Sequence, residues 1–234
     1  MGSVGVVSVG FGLLLALVHF FSENMSPAKG PTRFRVISFA AGISIAYLFL
    51  DLLPHTYEAA HNLRQWVFLF LLIGFSGFHL AEKYIYQHAD RQVLAKELKE
   101  VHSVAFFAYH FFVGVALESK VREGIAEGVF FLVPVVLHSF LSGASMSSIH
   151  GEVRENLPTK ILLSLSTLMG LVIALLLGVR PIVSNILISV IAGILLYVIV
   201  REFLPEKEEG RPLYFILGLT AFIALDLLLR NGGQ

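Results

Sequence analysis

Two histidines lie well inside long apolar stretches of this chain. Gly114 comes four positions after His110, and Gly143 comes five positions after His138. Imidazole nitrogen binds transition metals such as Zn²⁺ and also acts as a general acid or base. An ionisable side chain inside an apolar segment of membrane-crossing length is a functional candidate by default, because its burial there is costly. These two histidines are therefore the first candidates for chemistry.

The segments around the two histidines resemble each other. Tyr109-His110-Phe111-Phe112-Val113-Gly114 and His138-Ser139-Phe140-Leu141-Ser142-Gly143 both begin with a ring, continue with a polar residue and Phe, and end in Gly. Positions four apart share one face of a helix, so each segment presents its first and fifth side chains together. The candidate metal-ligating residues are His110, His138, Tyr109, Ser139 and Ser142. A second interpretation is that both histidines are neutral core residues, each hydrogen-bonded to a neighbouring helix.

Carboxylates are missing from these two segments, although they would offset the charge of a bound cation in a low-dielectric setting. The acids that remain as candidates are expected near helix ends. Asp226 is four positions before Arg230, which predicts an ion pair along one helix face. The four acids considered are Asp51, Glu118, Glu127 and Asp226.

The other histidines are weaker candidates for a ligand site. His55 and His61 are expected to flank a short loop on the outer side, where they could form an entry site. His79 is three positions before Glu82, which predicts a contact on one helix. His19 and His150 are expected near helix ends.

Composition indicates a membrane protein. Hydrophobic residues make up 56% of the 234 residues and charged residues 15%, against roughly 25% charged in soluble domains. Zero net charge argues against nucleic acid as a partner. Eight segments are apolar over about the 20 residues that a helix needs to cross a bilayer. We expect one all-α integral membrane domain over residues 1–234, with spans at about 4–21, 34–53, 66–86, 104–119, 125–149, 161–179, 182–204 and 213–229.

The distribution of basic residues predicts an orientation. A polar stretch at 87–101 separates the third and fourth spans and is expected to be a solvated loop or a surface helix. Twelve of the 17 Lys and Arg residues fall in loops on the same side as this stretch. Because cytoplasmic loops carry an excess of Lys and Arg, residues 87–101 should face the cytoplasm and both termini the outside, with the plasma membrane as the expected location.

Two parts of the chain repeat at a fixed spacing. Ala41-Gly42-Ile43 is followed by Asp51-Leu52-Leu53-Pro54, and Ala192-Gly193-Ile194 is followed by Glu202-Phe203-Leu204-Pro205. In both copies thirteen positions separate the alanine from the proline. The copies fall in the second and seventh spans, and the His110 and His138 segments fall in the fourth and fifth. This order of repeated segments predicts three helices, two helices and three helices related by inverted pseudo-symmetry, that is, a 3+2+3 inverted pseudo-repeat. Inverted repeats are typical of secondary transporters.

With these features the chain resembles the ZIP (Zrt-, Irt-like) family of divalent-metal transporters. The resemblance rests on Leu50-Asp51-Leu52-Leu53-Pro54 at the end of the second span, on the polar stretch 87–101, and on the fourth and fifth spans. It also rests on Ala192-Gly193-Ile194-Leu195-Leu196-Tyr197, followed by Leu204-Pro205-Glu206, in the seventh. The family's metal-site carboxylates are replaced here by Val113 and Ser142.

The resemblance implies an eight-helix ZIP-like bundle that moves a zinc-type divalent cation by alternating access, with no permanently bound cofactor. The expected partners are the lipid bilayer, the transported ion and, as one possible assembly, a second copy of the chain. Because the site lacks carboxylates, a relative that keeps the fold and has lost metal transport is a second hypothesis. An intramembrane zinc hydrolase is a third, and it is disfavoured because the acids lie away from the two histidines. We therefore expect a transporter rather than an enzyme.

Overall fold

A computed structural model describes residues 3–22, 31–88, 94–149, 157–203 and 210–231, and these residues form helices joined by short turns, with no strand among them. Two five-residue π-helical segments occur, at Leu48–Leu52 and Ile199–Phe203. The α-helices are α1 Ser3–Ser22, α2 Pro31–Tyr47, α3 Leu53–Leu63, α4 Trp66–His88, α5 Leu94–Glu123, α6 Ile125–Ile149, α7 Leu157–Leu177, α8 Pro181–Val198 and α9 Pro212–Asn231.

Six stretches of helix are long and apolar enough to cross a membrane: Val4–Ser22, Thr32–His61, Ser103–Glu123, Leu157–Leu177, Pro181–Arg201 and Pro212–Arg230. The remaining two predicted spans correspond to shorter apolar helices, Trp66–Ala81 and Ile125–Phe140. Large apolar side chains such as Leu176 and Leu177 are about four-fifths exposed, as expected of a surface that meets lipid. The prediction of an all-α membrane protein is confirmed at this level.

Two stretches between expected spans are helical: the short loop expected after the second span, which corrects that prediction, and part of 87–101, where a helix was one of the two expectations. The segment after Pro54 continues as α3, so Pro31–Leu63 is one helix interrupted only by the first π segment, and His55 and His61 do not flank a loop. Pro54 lacks an N–H, but it lies just after the π segment, where the N–H of Leu53 bonds the carbonyl of Leu48 five positions back. Local π geometry of this kind lets a helix continue through a proline. The second half of the polar stretch 87–101 likewise begins α5 at Leu94, since its Ala, Lys, Glu and Leu residues are strong helix formers.

The helices pack in two groups. The first group consists of α1, α5, α6 and α7, in which α1 and α5 each contact both α6 and α7. The second consists of the close pairs α2–α9 and α4–α8. The core between them includes the buried rings of Tyr47, Phe130, Phe131 and Phe222. The two groups meet mainly where α6 contacts α2 and where α5 contacts α8.

Contacts along the chain give the directions of the helices. Ser38 near the start of α2 accepts a hydrogen bond from the backbone N–H of Arg211 at 3.0 Å, and Asp51 at its end pairs with Arg230 at 3.2 Å. Thus α2 and α9 run in the same direction. Lys120 at the end of α5 contacts His55, and the preceding Ser119 accepts a hydrogen bond from Ser184 at the start of α8. Helix α8 therefore begins on the side of the bundle where α2 ends.

Glycine lets the backbones of α4 and α8 touch. A Cβ atom at Gly74 would collide with the backbone of Val190 and Ile194, and one at Gly193 would collide with the backbone of Leu71. Small residues at a crossing allow this close approach, which favours helix association in a membrane.

The α2–α9 crossing is built in the same way. A Cβ at Gly218 would collide with the backbone of Phe39 and Ile43. The separation of Phe39 from Val190, and of Ile43 from Ile194, equals that of Ala41 from Ala192 in the repeated sequence. The two π segments are separated by the same number of positions. The two crossings therefore use corresponding atoms.

Substitution of Gly74 should destabilise the bundle, because a methyl group there meets backbone atoms of α8 that have no rotamer to change. We expect Gly74→Ala to lower the free energy of unfolding in detergent by about 1–3 kcal/mol. Gly77→Ala on the same helix is the matched control, since no heavy atom lies within 4 Å of a Cβ built there. It should leave stability unchanged or raise it. Equal effects of both variants would contradict the contact.

Candidate functional site

The two candidate histidines face each other across the contact between α5 and α6. The rings of His110 and His138 are nearly parallel, with 5° between their planes and 6.4 Å between their centroids. The side chains are buried, at 1% and 5% exposure. The helices are held close at the turn that joins them, where Gly128 leaves room for the side chain of Val121. The structure thus brings together the two histidines that the sequence singled out.

Hydrogen bonds define the role of each nitrogen of His110. Its Nδ1 lies 3.0 Å from the carbonyl oxygen of Phe106, one turn earlier in α5. Because a carbonyl only accepts, Nδ1 carries the proton and donates it. Its Nε2 lies 3.3 Å from the hydroxyl oxygen of Ser139, and in the neutral ring it accepts from that hydroxyl. The lone pair of Nε2 therefore points toward α6, and it is the atom of His110 that is available to a ligand.

Two of the predicted hydroxyl residues are also at this site. The ring of Tyr109 stands edge-on to that of His138 at 5.8 Å, and its hydroxyl, fully shielded from solvent, has no hydrogen-bond partner among the described atoms. Ser139 is buried and bonds His110, as stated above. Ser142 belongs to α6, one turn after His138, but its side chain lies outside the part of the chain that the structure describes.

A third histidine, His19 of α1, joins the site and was set aside in the sequence analysis as a helix-end residue. Its ring centroid lies 4.1 Å from that of His110, at 83° between the planes. It is 4% exposed, and neither ring nitrogen has a hydrogen-bond partner among the described residues. The signal that could have identified it is its position inside the predicted span 4–21, where an ionisable residue needs an explanation.

The donors do not converge as a finished metal cage. Among the described residues, no group of three or more His, Asp or Glu side chains is placed to hold a metal ion. The three rings meet edge to face or face to face, and no carboxylate that the structure describes stands among them. What the arrangement offers is a set of neutral nitrogen and hydroxyl donors in a buried position.

Charged groups gather instead at a second site, here called the Lys120 cluster: Asp51 in the first π segment, His55 in α3, and Lys120 and Glu123 in α5. The ammonium of Lys120 lies 3.0 Å from His55 Nδ1 and 2.9 Å from Glu123 Oε2. Its side chain is only 2% exposed. Asp51, 6% exposed, accepts a bond from Arg230 at 3.2 Å through Oδ1, while its Oδ2 has no partner among the described atoms.

The other acids bear out the sequence-based expectation only in part. Arg230 pairs with Asp226 at 2.5 Å, which confirms the predicted ion pair. Glu118, which was expected at an exposed helix end, is 1% exposed and pairs with Arg122 of the same helix. An ion pair within one helix explains how its charge is accommodated, because the arginine reaches back from the more exposed final turn. His61 lies on the exposed side of α3, six positions from His55, and takes no part in the Lys120 cluster.

Fold and sites together define an all-α integral membrane protein with two buried polar clusters, one of histidines and one of mixed charge. No protein-family model matches the chain, and no curated protein matches it.

Removal of the Ser139 hydroxyl should destabilise the histidine site, because Nε2 of His110 would lose its partner in a buried setting. An unsatisfied buried polar group costs about 1–3 kcal/mol, and we expect Ser139→Ala to lower the free energy of unfolding by that amount. The matched control is Ser44→Ala, since Ser44 is equally buried and its hydroxyl has no partner in the described structure. Thermal unfolding in detergent distinguishes them, and an equal loss in both would argue against the bond.

Proposed function

We propose that this chain is a membrane transporter of divalent metal cations, with a ZIP-like bundle of eight spans and a 3+2+3 inverted pseudo-repeat. The observation that carries the proposal is the burial of His110 and His138 face to face between α5, which is long enough to cross a membrane, and the adjacent apolar helix α6. Such residues are costly in a membrane unless they bind something or conduct something.

The matched crossings support the transporter part of the proposal. Gly74 and Gly218 touch corresponding atoms of α8 and α2, and the two π segments occupy corresponding positions. Two such halves running in opposite directions are the architecture in which a central site is exposed to one side and then to the other. The histidine site lies in α1, α5 and α6, all in one packing group. Movement of this group against α2–α9 and α4–α8 would change the side from which the site is reached.

The donor types favour a particular class of cation. Imidazole suits Zn²⁺, Cu, Fe and Ni, whereas Mg²⁺ and Ca²⁺ prefer carboxylate and water oxygen. His19, His110 and His138 offer nitrogen, and Tyr109 and Ser139 offer hydroxyls. We therefore propose zinc-type cations as the substrate, with His110 and His138 as the principal ligands, and transport rather than catalysis as the activity.

One observation favours the second hypothesis, a protein of this fold that binds another solute or a partner and transports no metal. The described residues contain no carboxylate at the histidine site to balance a divalent charge, and burial of an uncompensated charge is costly. In that case the histidines would be core residues held by bonds such as the one between His110 and Ser139.

Uptake into proteoliposomes separates the two hypotheses. We expect Zn²⁺ and Cd²⁺ to enter vesicles that contain the wild-type protein and not empty vesicles. The double variant His110→Ala/His138→Ala should lose this flux, since both principal ligands are gone. His79→Ala is the matched control, because His79 is an exposed histidine of α4 outside the site, and its flux should equal that of the wild type. Wild-type uptake no greater than that of empty vesicles would eliminate zinc and cadmium transport and favour the second hypothesis.

The proposed orientation has both termini outside and the 87–101 stretch in the cytoplasm of a plasma membrane. The chain contains no cysteine, so a single introduced thiol can be labelled without background. In intact cells we expect an impermeant maleimide to label Ser3→Cys and to leave Ala95→Cys unlabelled until the membrane is opened. The reverse pattern would show that the orientation is inverted.

A further inference from the structure

The Lys120 cluster holds a cation in the way that a metal site would. The ammonium of Lys120 can only donate hydrogen bonds, so His55 Nδ1 must accept through its lone pair. That lone pair is the one a metal ion would use. Glu123 directs a carboxylate oxygen at the same ammonium. A nitrogen lone pair and a carboxylate oxygen from two different helices therefore share one positive charge.

The surroundings of this charge are acidic. Asp51 interacts electrostatically with Lys120, and it keeps one buried oxygen without a partner in the described structure. Among the described residues, the acids Glu58, Glu123, Glu127 and Asp226 and the bases Lys120 and Arg230 interact electrostatically with Asp51 or His55. The ammonium of Lys120 supplies one positive charge between His55 and Glu123, and the guanidinium of Arg230 supplies another at Asp51.

Exposure differs sharply between the members of the cluster. The Glu123 side chain is 41% exposed, that of Lys120 is 2% exposed, and Asp51 is 6% exposed. Further inside, the buried hydroxyl of Tyr47 interacts electrostatically with both Asp51 and Tyr109, the latter a residue of the histidine site. The cluster therefore reaches the protein surface at Glu123 and is linked electrostatically, through Tyr47, to a residue of the histidine site.

We propose that His55 and Glu123 form a second cation-binding site beside Asp51, and that in this conformation the ammonium of Lys120 fills it in place of a divalent metal ion. The ligand class is a cation that accepts both imidazole nitrogen and carboxylate oxygen, such as Zn²⁺ or Cd²⁺. A metal ion that arrives from the surface must displace the lysine. The inference concerns a different part of the molecule from the histidine site and does not require transport.

The spacing in the structure accords with an ammonium rather than a metal. The contacts to His55 and Glu123 are 3.0 and 2.9 Å, whereas Zn²⁺ takes nitrogen at about 2.0–2.1 Å and carboxylate oxygen at about 2.0–2.2 Å. Once Lys120 withdraws, the His55 nitrogen and the Glu123 oxygen must therefore each move about 0.7–1.0 Å toward a metal ion at the position of the Lys120 nitrogen. With Lys120 in place, His55 and the acids do not form a group of three metal ligands among the described residues.

The first test is Cd²⁺ binding to purified full-length protein in detergent, measured by equilibrium dialysis. All proteins carry His110→Ala and His138→Ala, so that the histidine site does not contribute. Addition of Lys120→Gln should create a new Cd²⁺ site or tighten Cd²⁺ binding by about tenfold or more, because the competing charge is gone. Glutamine keeps a hydrogen-bond donor for His55, which limits damage to the fold. No gain in binding would overturn the proposal.

Three controls identify the site. Lys120→Arg keeps a cation in place and should show no gain. Lys160→Gln removes another buried lysine, whose ammonium lies over the ring of Phe20, and should also show none. His55→Ala combined with Lys120→Gln should abolish the gain, and a gain that survives this change would place the metal elsewhere and overturn the proposal.

A second variant keeps Lys120 and so does not depend on the folding of Lys120→Gln. In a chain without other cysteines, His55→Cys introduces a single thiol, a stronger metal ligand than imidazole. Cd²⁺ should displace the ammonium and slow the reaction of this thiol with a maleimide, and Glu123→Gln should weaken that protection. Reaction at the same rate with and without Cd²⁺ would overturn the proposal. Because flux plays no part in these measurements, failure here is distinct from failure of the transport function.

Discussion

Direct contact between helix backbones is the constraint on which this structure depends. In lipid there is little hydrophobic gain from bringing two apolar helices together, so association relies on close packing. Gly74 with Gly193, and Gly42 with Gly218, remove the side chains that would keep α4 from α8 and α2 from α9. Gly114 and Gly170 do the same for α5 and α7. Once these pairs are in place, the remaining helices have few ways to fill the space between them.

The second organising feature is the separation of nitrogen donors from charge. The histidines lie where α1, α5 and α6 meet, and the carboxylates and basic groups described in the structure lie toward helix ends. This distribution follows from the cost of burial. A neutral imidazole that is hydrogen-bonded to a hydroxyl and a carbonyl costs little free energy to bury. The charged groups of Asp51 and Lys120 cost more, and they need oppositely charged partners near the solvent-exposed surface.

Most of the helices could be predicted from the sequence, because each apolar segment is long and ends at glycine, proline or charged residues. The exception after Pro54 arose because proline was interpreted as a terminator, although the π segment just before it lets the helix continue. The pairing of His110 with His138 followed from their matching segments. Lys120 and His55 could not be paired in this way. They are 65 positions apart, and the segments around them share no repeated motif. His19 was overlooked because it is close to the predicted end of its helix. Its position inside the predicted span 4–21 was the more informative observation.

The first π segment governs which side of the helix Pro31–Leu63 the interior can use. Ser44, Leu48, Leu52 and Thr56 are all buried, and they recur at intervals of four. In an uninterrupted α-helix each interval of four overshoots a full turn by about 40°, so three intervals would carry Thr56 about 120° around the axis, toward lipid. The wider turn at Leu48–Leu52 absorbs part of this drift and holds the stripe in phase. A single helical wheel drawn through the whole segment would therefore assign its second half to the wrong surroundings.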